Sequence, residues 1–452
     1  MIDLDSLNLL FDAAKKLDAG FANLPPFEQQ TLGAASMPNI LNDLAARLQD
    51  NYPYFHPLYA GQMLKPPHPV ARLAYALAMF INPNNHALDG GRATSALEKE
   101  AVAEIATMFG WEEFLGHLTG GGTMANLEAL WVASQLAPGK KIVASEQAHY
   151  THHRISSVLK LDFESIPVDN RARMDHYALE KRLKAKNDIG TVVATLGTTA
   201  TGSIDSLQIL LDLRKKYGFR IHVDAAYGGY FNLANNLGAN AAAAFTYLSE
   251  ADSIVIDPHK HGLQPYGCGC VLFRDRIVGR LYKHDSPYTY FSSAELHLGE
   301  ISLECSRPGA AAAALWATQK LLPLTKNGEF AEDLQKGIDT ALAFYKKLRA
   351  SDKFIPAFEP ELDIVIFLPK PKSSTAQTSL TEISAESRRI FEAAAAQNLH
   401  LALAELPAAF FAASLPATIR RDKPTVTALR SVLMKPEHSQ WLDRIHEILI
   451  SL

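Results

Sequence analysis

The stretch Ser253-Ile254-Val255-Ile256-Asp257-Pro258-His259-Lys260 ends a short apolar, β-branched run on an imidazole and an amine. Upstream, His222-Val223-Asp224-Ala225-Ala226-Tyr227 ends a similar run on a carboxylate. Runs of this kind read as strands buried on both faces of a parallel sheet, and open α/β sheets place ligands at the carboxyl ends of such strands. An amine and a carboxylate at neighbouring strand ends suit an aromatic, phosphorylated aldehyde. The amine forms a Schiff base, and the anion keeps a pyridine nitrogen protonated so that the ring can accept electrons from a substrate carbanion. Lys260 and Asp224 are the candidates for these roles, and pyridoxal 5'-phosphate (PLP) is the cofactor they imply.

Working outward, residues 93–310 alternate β-branched runs with amphipathic helical patterns, which predicts an α/β domain with a mostly parallel central sheet. Strands are expected at 141–144, 191–196, 220–223, 253–256 and 270–273. Between two of them, Leu207, Leu210 and Leu211 share one face of a crossover helix, with Asp205 expected as its cap and Gly218 as its stop. Residues 1–92 are broken by Pro25-Pro26, Pro53, Pro57, Pro66-Pro67, Pro69 and Pro83 and read as an irregular arm. Residues 311–452 read as a smaller C-terminal α+β domain, with strands near 364–367 and 429–434 and a last helix from Gln440.

The cofactor's phosphate needs donors. Thr119-Gly120-Gly121-Gly122-Thr123 precedes a helical pattern, so the Gly122 and Thr123 amides and the Thr123 hydroxyl would face an anion at a helix N-terminus. His149 follows the strand at 141–144 and can stack on the ring. With Glu146, the group His149, His152 and His153 could hold a metal only if the segment were helical; a loop leaving a strand is expected instead, and no metal.

The chain of 452 residues is 48% hydrophobic with a net charge of -4, and it lacks a long Lys/Arg block. That excludes the electrostatic footprint of a nucleic-acid or anionic-membrane binder. Cys268, Cys270 and Cys305 are too few for a disulfide framework, and Asp3 and Asp5 stand where a secretory signal would be basic. No uncharged apolar run of about 20 residues occurs. These features lead us to expect a cytoplasmic location.

Five motifs, in this order, resemble the signatures of the group II PLP-dependent amino acid decarboxylases. They are Gly121-Gly122-Thr123-Met124-Ala125-Asn126, Gln147-Ala148-His149, Ala194-Thr195-Leu196-Gly197-Thr198-Thr199, His222 to Tyr227, and Pro258-His259-Lys260. Shorter matches are His56-Pro57, Ala93 to Glu98 and Leu429-Arg430-Ser431-Val432-Leu433-Met434. The resemblance implies the aspartate-aminotransferase type of fold (fold type I), decarboxylation of an L-amino acid to its amine and CO2, and a homodimer with shared active sites. It makes Lys260 the Schiff-base lysine, pairs Asp224 with the pyridinium, stacks His149 on the ring, packs Ala226 beneath it, and adds Thr199, His259 and Thr123 to the cofactor's hold. A tyrosine of the stretch 284–293, Tyr288 or Tyr290, would return the proton to Cα. Tyr59 and Gln62 would line the side-chain pocket, and Arg307 would bind a substrate or cofactor anion or brace its loop. His261 and Lys435 depart from the family pattern, which often has a bulky aromatic residue at the first position and, in many relatives, Asn at the second. A carbon–carbon lyase, an aminotransferase and a non-catalytic PLP-binding protein are the alternatives.

Overall fold

The computed structural model describes residues 4–28, 30–86, 90–283, 301–371 and 378–452. Its centre is a seven-stranded sheet in the order β1-β7-β6-β5-β4-β2-β3. The strands are β1 (Leu115–Thr119), β2 (Lys141–Ser145), β3 (Phe163–Ile166), β4 (Ile189–Thr195), β5 (Arg220–Asp224), β6 (Ser253–Ile256) and β7 (Gly269–Phe273). From β3 to β6 every pairing is parallel, whereas β7 is antiparallel to both β6 and β1. All seven residues of β4 are buried, because Val and Ile on both faces meet helices on both sides. The lone reversal at β7 goes with the connection from residue 257 to 268, which forms turns and contains no crossover helix of the kind a parallel neighbour uses.

A second, antiparallel sheet has the order β10-β11-β9-β8, made of β8 (Phe354–Pro356), β9 (Ile364–Pro369), β10 (Ala402–Pro407) and β11 (Thr425–Val432). Helices Glu329–Ala350, Leu380–Ala396 and His438–Ser451 cover it. Segment 59–62 joins this sheet from far away in sequence: the Ala60 amide donates to the His400 carbonyl (2.9 Å), and the Val432 amide donates to the Ala60 carbonyl (2.7 Å).

Two expectations change. Asp205 does not cap the helix Leu207–Tyr217; its carboxylate accepts the Met174 (2.7 Å) and Thr195 (2.8 Å) amides, tying the 168–174 turn to the end of β4. Burial pushes its pKa up to about 6, and those two amides oppose the rise. The N-terminal region is also more regular than its prolines suggest. Pro69 opens the helix Pro69–Met79 rather than interrupting one, since the first helical position needs no amide donor. Helices Leu4–Ala19 and Met37–Leu48 precede it and bury no residue against the rest of the chain. Among the described residues no helix is long and apolar enough to cross a membrane.

Candidate active site

Strand β5 turns its period-2 face, His222 and Asp224, toward helix Gly122–Leu136 and helix Thr151–Val158. Asp224 is 5% exposed and collects three donors: His152 Nε2–H (2.7 Å), Asn126 Nδ2–H (3.4 Å) and the Ala226 amide (3.1 Å). Asn126 is itself fixed, because its Oδ1 accepts from His222 Nε2–H at 2.8 Å, while Ser253 Oγ lies 2.9 Å from His222 Nδ1. Burial alone would raise the Asp224 pKa, but the His152 hydrogen bond and the charges of His152, Lys260 and His222 outweigh it and hold the carboxyl well below the usual range. Burial, with His152 nearby, takes His222 down to about 3, so its imidazole is neutral and serves as a fixed donor.

Lys260 lies beyond the end of β6, its Nζ 3.1 Å from Asp257 Oδ2. His259 Nε2 lies 3.5 Å from the same oxygen. A cavity of about 550 Å³ opens between these two strand ends and the glycine turn, within the range of small-molecule sites. Gly122, Thr123, His149, Thr199, Asp224, Ala226, His259 and Lys260 all line it. Gly121, at φ 141°, sits just before the helix, where no side chain caps the first amides. A Cβ on Gly122 would come within 2.7 Å of Asp257 Oδ2, so the turn needs glycine to pass this close. Burial lowers the His149 pKa, Asp224 opposes this, and Lys260 adds to it.

These residues fit PLP. An amine stands near a carboxylate held ionised, a glycine turn offers free amides, and the buried Thr195 Oγ1 and His259 Nδ1 have no partner among the described residues. A smaller cavity of about 320 Å³ adjoins the first through His149, Tyr150 and Thr199, and Gln62 and Arg430 line it. Tyr59 is buried beside Tyr54 and borders neither cavity. Of the roles open to Arg307, the structure supplies the brace: its Nη1 donates to Glu98 Oε1 (2.5 Å) and the Leu118 carbonyl (2.7 Å), away from both cavities. Tyr288 and Tyr290 lie outside the described residues.

The segment after β2 is a loop as far as Tyr150, as expected, but Thr151–Val158 is helical. That helix turns His152 inward to Asp224 rather than toward a metal, and among the described residues no cluster of His, Cys, Asp and Glu is placed to hold one. The contact of His152 with Asp224 and the place of Arg430 beside the smaller cavity were not legible in the sequence, where His152 is read only within a possible metal group and Arg430 only within a motif. Nor was the role of Glu304, whose Oε2 accepts the Gly120 amide at 2.7 Å.

Residues 33–370 match the family model of the pyridoxal-dependent decarboxylase conserved domain. The chain belongs to that family. It is similar to an L-tyrosine decarboxylase of Enterococcus faecium (28% identity, over 77% of this chain and 74% of the relative). It is likewise similar to an L-aspartate decarboxylase of Thermococcus kodakarensis (29%, over 74% and 85%). Among solved structures, Oryza sativa TDC with PLP and tryptamine superposes with a TM-score of 0.79 at 17% identity, covering 100% of this chain and 99% of that one. Mouse CSAD in apo form gives 0.78 at 18%, covering 99% of each. The fold is that of these enzymes, the cofactor is PLP, and the reaction is decarboxylation of an amino acid.

Proposed function

We propose that the cavity between β5 and β6 is where an L-amino acid loses its carboxylate, with Lys260 the covalent attachment point of the cofactor and Asp224 the partner of its ring nitrogen. One observation carries this reading: a carboxylate with three donors and a neutral histidine behind it shares a cavity with the Lys260 amine. When bound, PLP supplies an aldehyde for amine capture and a protonated ring that takes up the electron pair of the breaking C–C bond. The protein does the rest. The Gly122 and Thr123 amides and the Thr123 hydroxyl would hold the phosphate, Thr199 and His259 would add to that hold, and His149 and Ala226 would contact the ring.

Arg430 gives the substrate a handle. It is 4% exposed, and its Nη1 donates to Gln62 Oε1 at 3.2 Å, yet its Nε and Nη2 have no partner among the described residues. A buried guanidinium with free donors is a carboxylate site, so we assign Arg430 to a substrate carboxylate and Gln62 to its neighbour. Relatives named for tyrosine and for aspartate leave the side-chain class to a substrate screen.

The enzyme works, in this reading, as a cytoplasmic homodimer. Helices Leu4–Ala19 and Met37–Leu48 expose Leu7, Phe11, Ile40, Leu41 and Leu44, an apolar surface suited to a second copy. One preparation tests both parts. Borohydride should bleach the visible band and fix the cofactor on the Lys260 peptide, and light scattering should give twice the chain mass of 49.5 kDa. Label on another lysine would sink the site assignment, and a monomer the dimer.

A further inference from the structure

Lys435, one of the two departures from the family pattern, lies where a lysine is rarely found. It is 3% exposed, its Nζ donates to the Tyr59 carbonyl at 2.6 Å, and it stands 5.2 Å from the centre of the Tyr59 ring. A second amine is close: Lys65 Nζ donates to the adjacent Met434 carbonyl at 3.3 Å. Among the described residues neither amine has a carboxylate within 4.0 Å. Both border a cavity of about 540 Å³, and His261, the other departure from the pattern, forms part of its wall. His261 is 2% exposed; its Nε2 is 3.3 Å from Asp363 Oδ2 but misaligned for a hydrogen bond, and its Nδ1 has no partner among the described residues. The remaining charged groups around the cavity, Glu329, Glu332, Asp333, Lys336 and Glu437, are exposed.

Lysine is almost never fully buried without a partner, because an ammonium stripped of water and given no counter-ion is costly and sheds its proton instead. Burial, with the charge of Lys65 beside it, takes Lys435 down to about 7. Burial takes Lys65 to about 8, against the opposing pull of Asp363, Asp333 and Glu437. A neutral amine that donates one N–H to a carbonyl keeps its lone pair free. The reaction next door releases CO2, an electrophile small enough to enter such a cavity.

We propose that Lys435 is a site of reversible carbamylation by CO2. The Nζ lone pair forms a bond to the CO2 carbon, one C=O electron pair moves onto oxygen, and one N–H proton leaves to water, so that amine plus CO2 gives carbamate plus a proton. The carbamate nitrogen keeps one N–H for the Tyr59 carbonyl. The new anion turns the repulsion between two amines into an ion pair with Lys65 and offers an acceptor to His261. Tyr59 belongs to the segment that carries Gln62, so the charge of Lys435 changes beside the wall assigned to the substrate. The proposal rests on the decarboxylase assignment only for the source of CO2.

The test supplies the CO2 from outside and needs no turnover. PLP-loaded protein is equilibrated with 13C-bicarbonate at neutral pH, examined by 13C NMR, then treated with an alkyl oxonium salt to trap carbamate as an ester for peptide mass spectrometry. The expected result is a protein-bound carbamate resonance that disappears in Lys435→Asn and in Lys435→Arg, with the trapped ester on the Lys435 peptide of the wild type. Trapping on the wild type stands even if a variant folds poorly. Absence of a bound signal in wild type, its survival in both variants, or an ester on Lys65 instead would each overturn the proposal.

Discussion

Two carboxylates end successive strands of the same sheet and border the same cavity, yet their surroundings differ. Asp224, at the end of β5, is gripped by His152, Asn126 and its own turn, and a second rank of groups, His222 and Ser253, fixes the grip. Among the described residues, Asp257, just past β6, has one oxygen without a partner, and the other faces the side chains of Lys260 and His259. The first carboxylate is a fixed charge in a rigid frame. The second is a neighbour of the lysine to which we assign the cofactor. Burial is alike at the two positions; what separates them is how many of the partners are anchored elsewhere.

Removing the fixed charge should have the largest effect. Asp224→Asn leaves His152 and the ring nitrogen without their anion, a loss of about 3–5 kcal/mol for a broken buried pair, or about two to four orders of magnitude in kcat/KM measured by CO2 release. Turnover close to wild type would make the two carboxylates equivalent. His152→Ala sharpens the comparison by taking away one anchor while keeping the charge. A hydrogen bond to a charged group contributes about 1.5–3 kcal/mol, so activity should fall by about one to two orders of magnitude. The Asp224 pKa should rise toward its ordinary value, so the pH at which the bound cofactor's absorbance changes should move down; a reduced rate with an unmoved profile would mean that His152 is only packing. The smallest effect belongs to Asp257→Asn, because its partner Lys260 keeps 20% of its side chain in solvent and no second rank of groups fixes the pair. Less than about tenfold is expected in kcat/KM, and a loss matching Asp224→Asn would erase the distinction.

The fixed half of the site was largely legible in the sequence, because it sits on periodic elements. Asp224 and Lys260 end runs whose β-branched composition marks buried strands, and Gly122 and Thr123 open a helix with a regular apolar face. What failed to show were roles that depend on orientation or on distant chain. The helix that aims His152 at Asp224 has only eight residues, too few for its period to stand out. β1 escaped notice because Gly116 and His117 break its β character, although pairing with β7 buries it. Asp205 has the composition of a cap, and only the tertiary fold gives it two other amides. Arg307 was left with two readings because nothing local indicates that Glu98 would lie against it.

The joining of segment 59–62 to the second sheet also sets an order of assembly. Lys435 and Tyr59 are 376 residues apart in sequence, and Arg430 and Gln62 are 368 apart. Contacts this remote close large loops and are slow to form. On a ribosome they must also wait until nearly the whole polypeptide has been made. The groups we assign to the cofactor all lie between Gly122 and Lys260, so the early part of the chain can build that wall of the cavity while the wall bearing Gln62 and Arg430 is still incomplete.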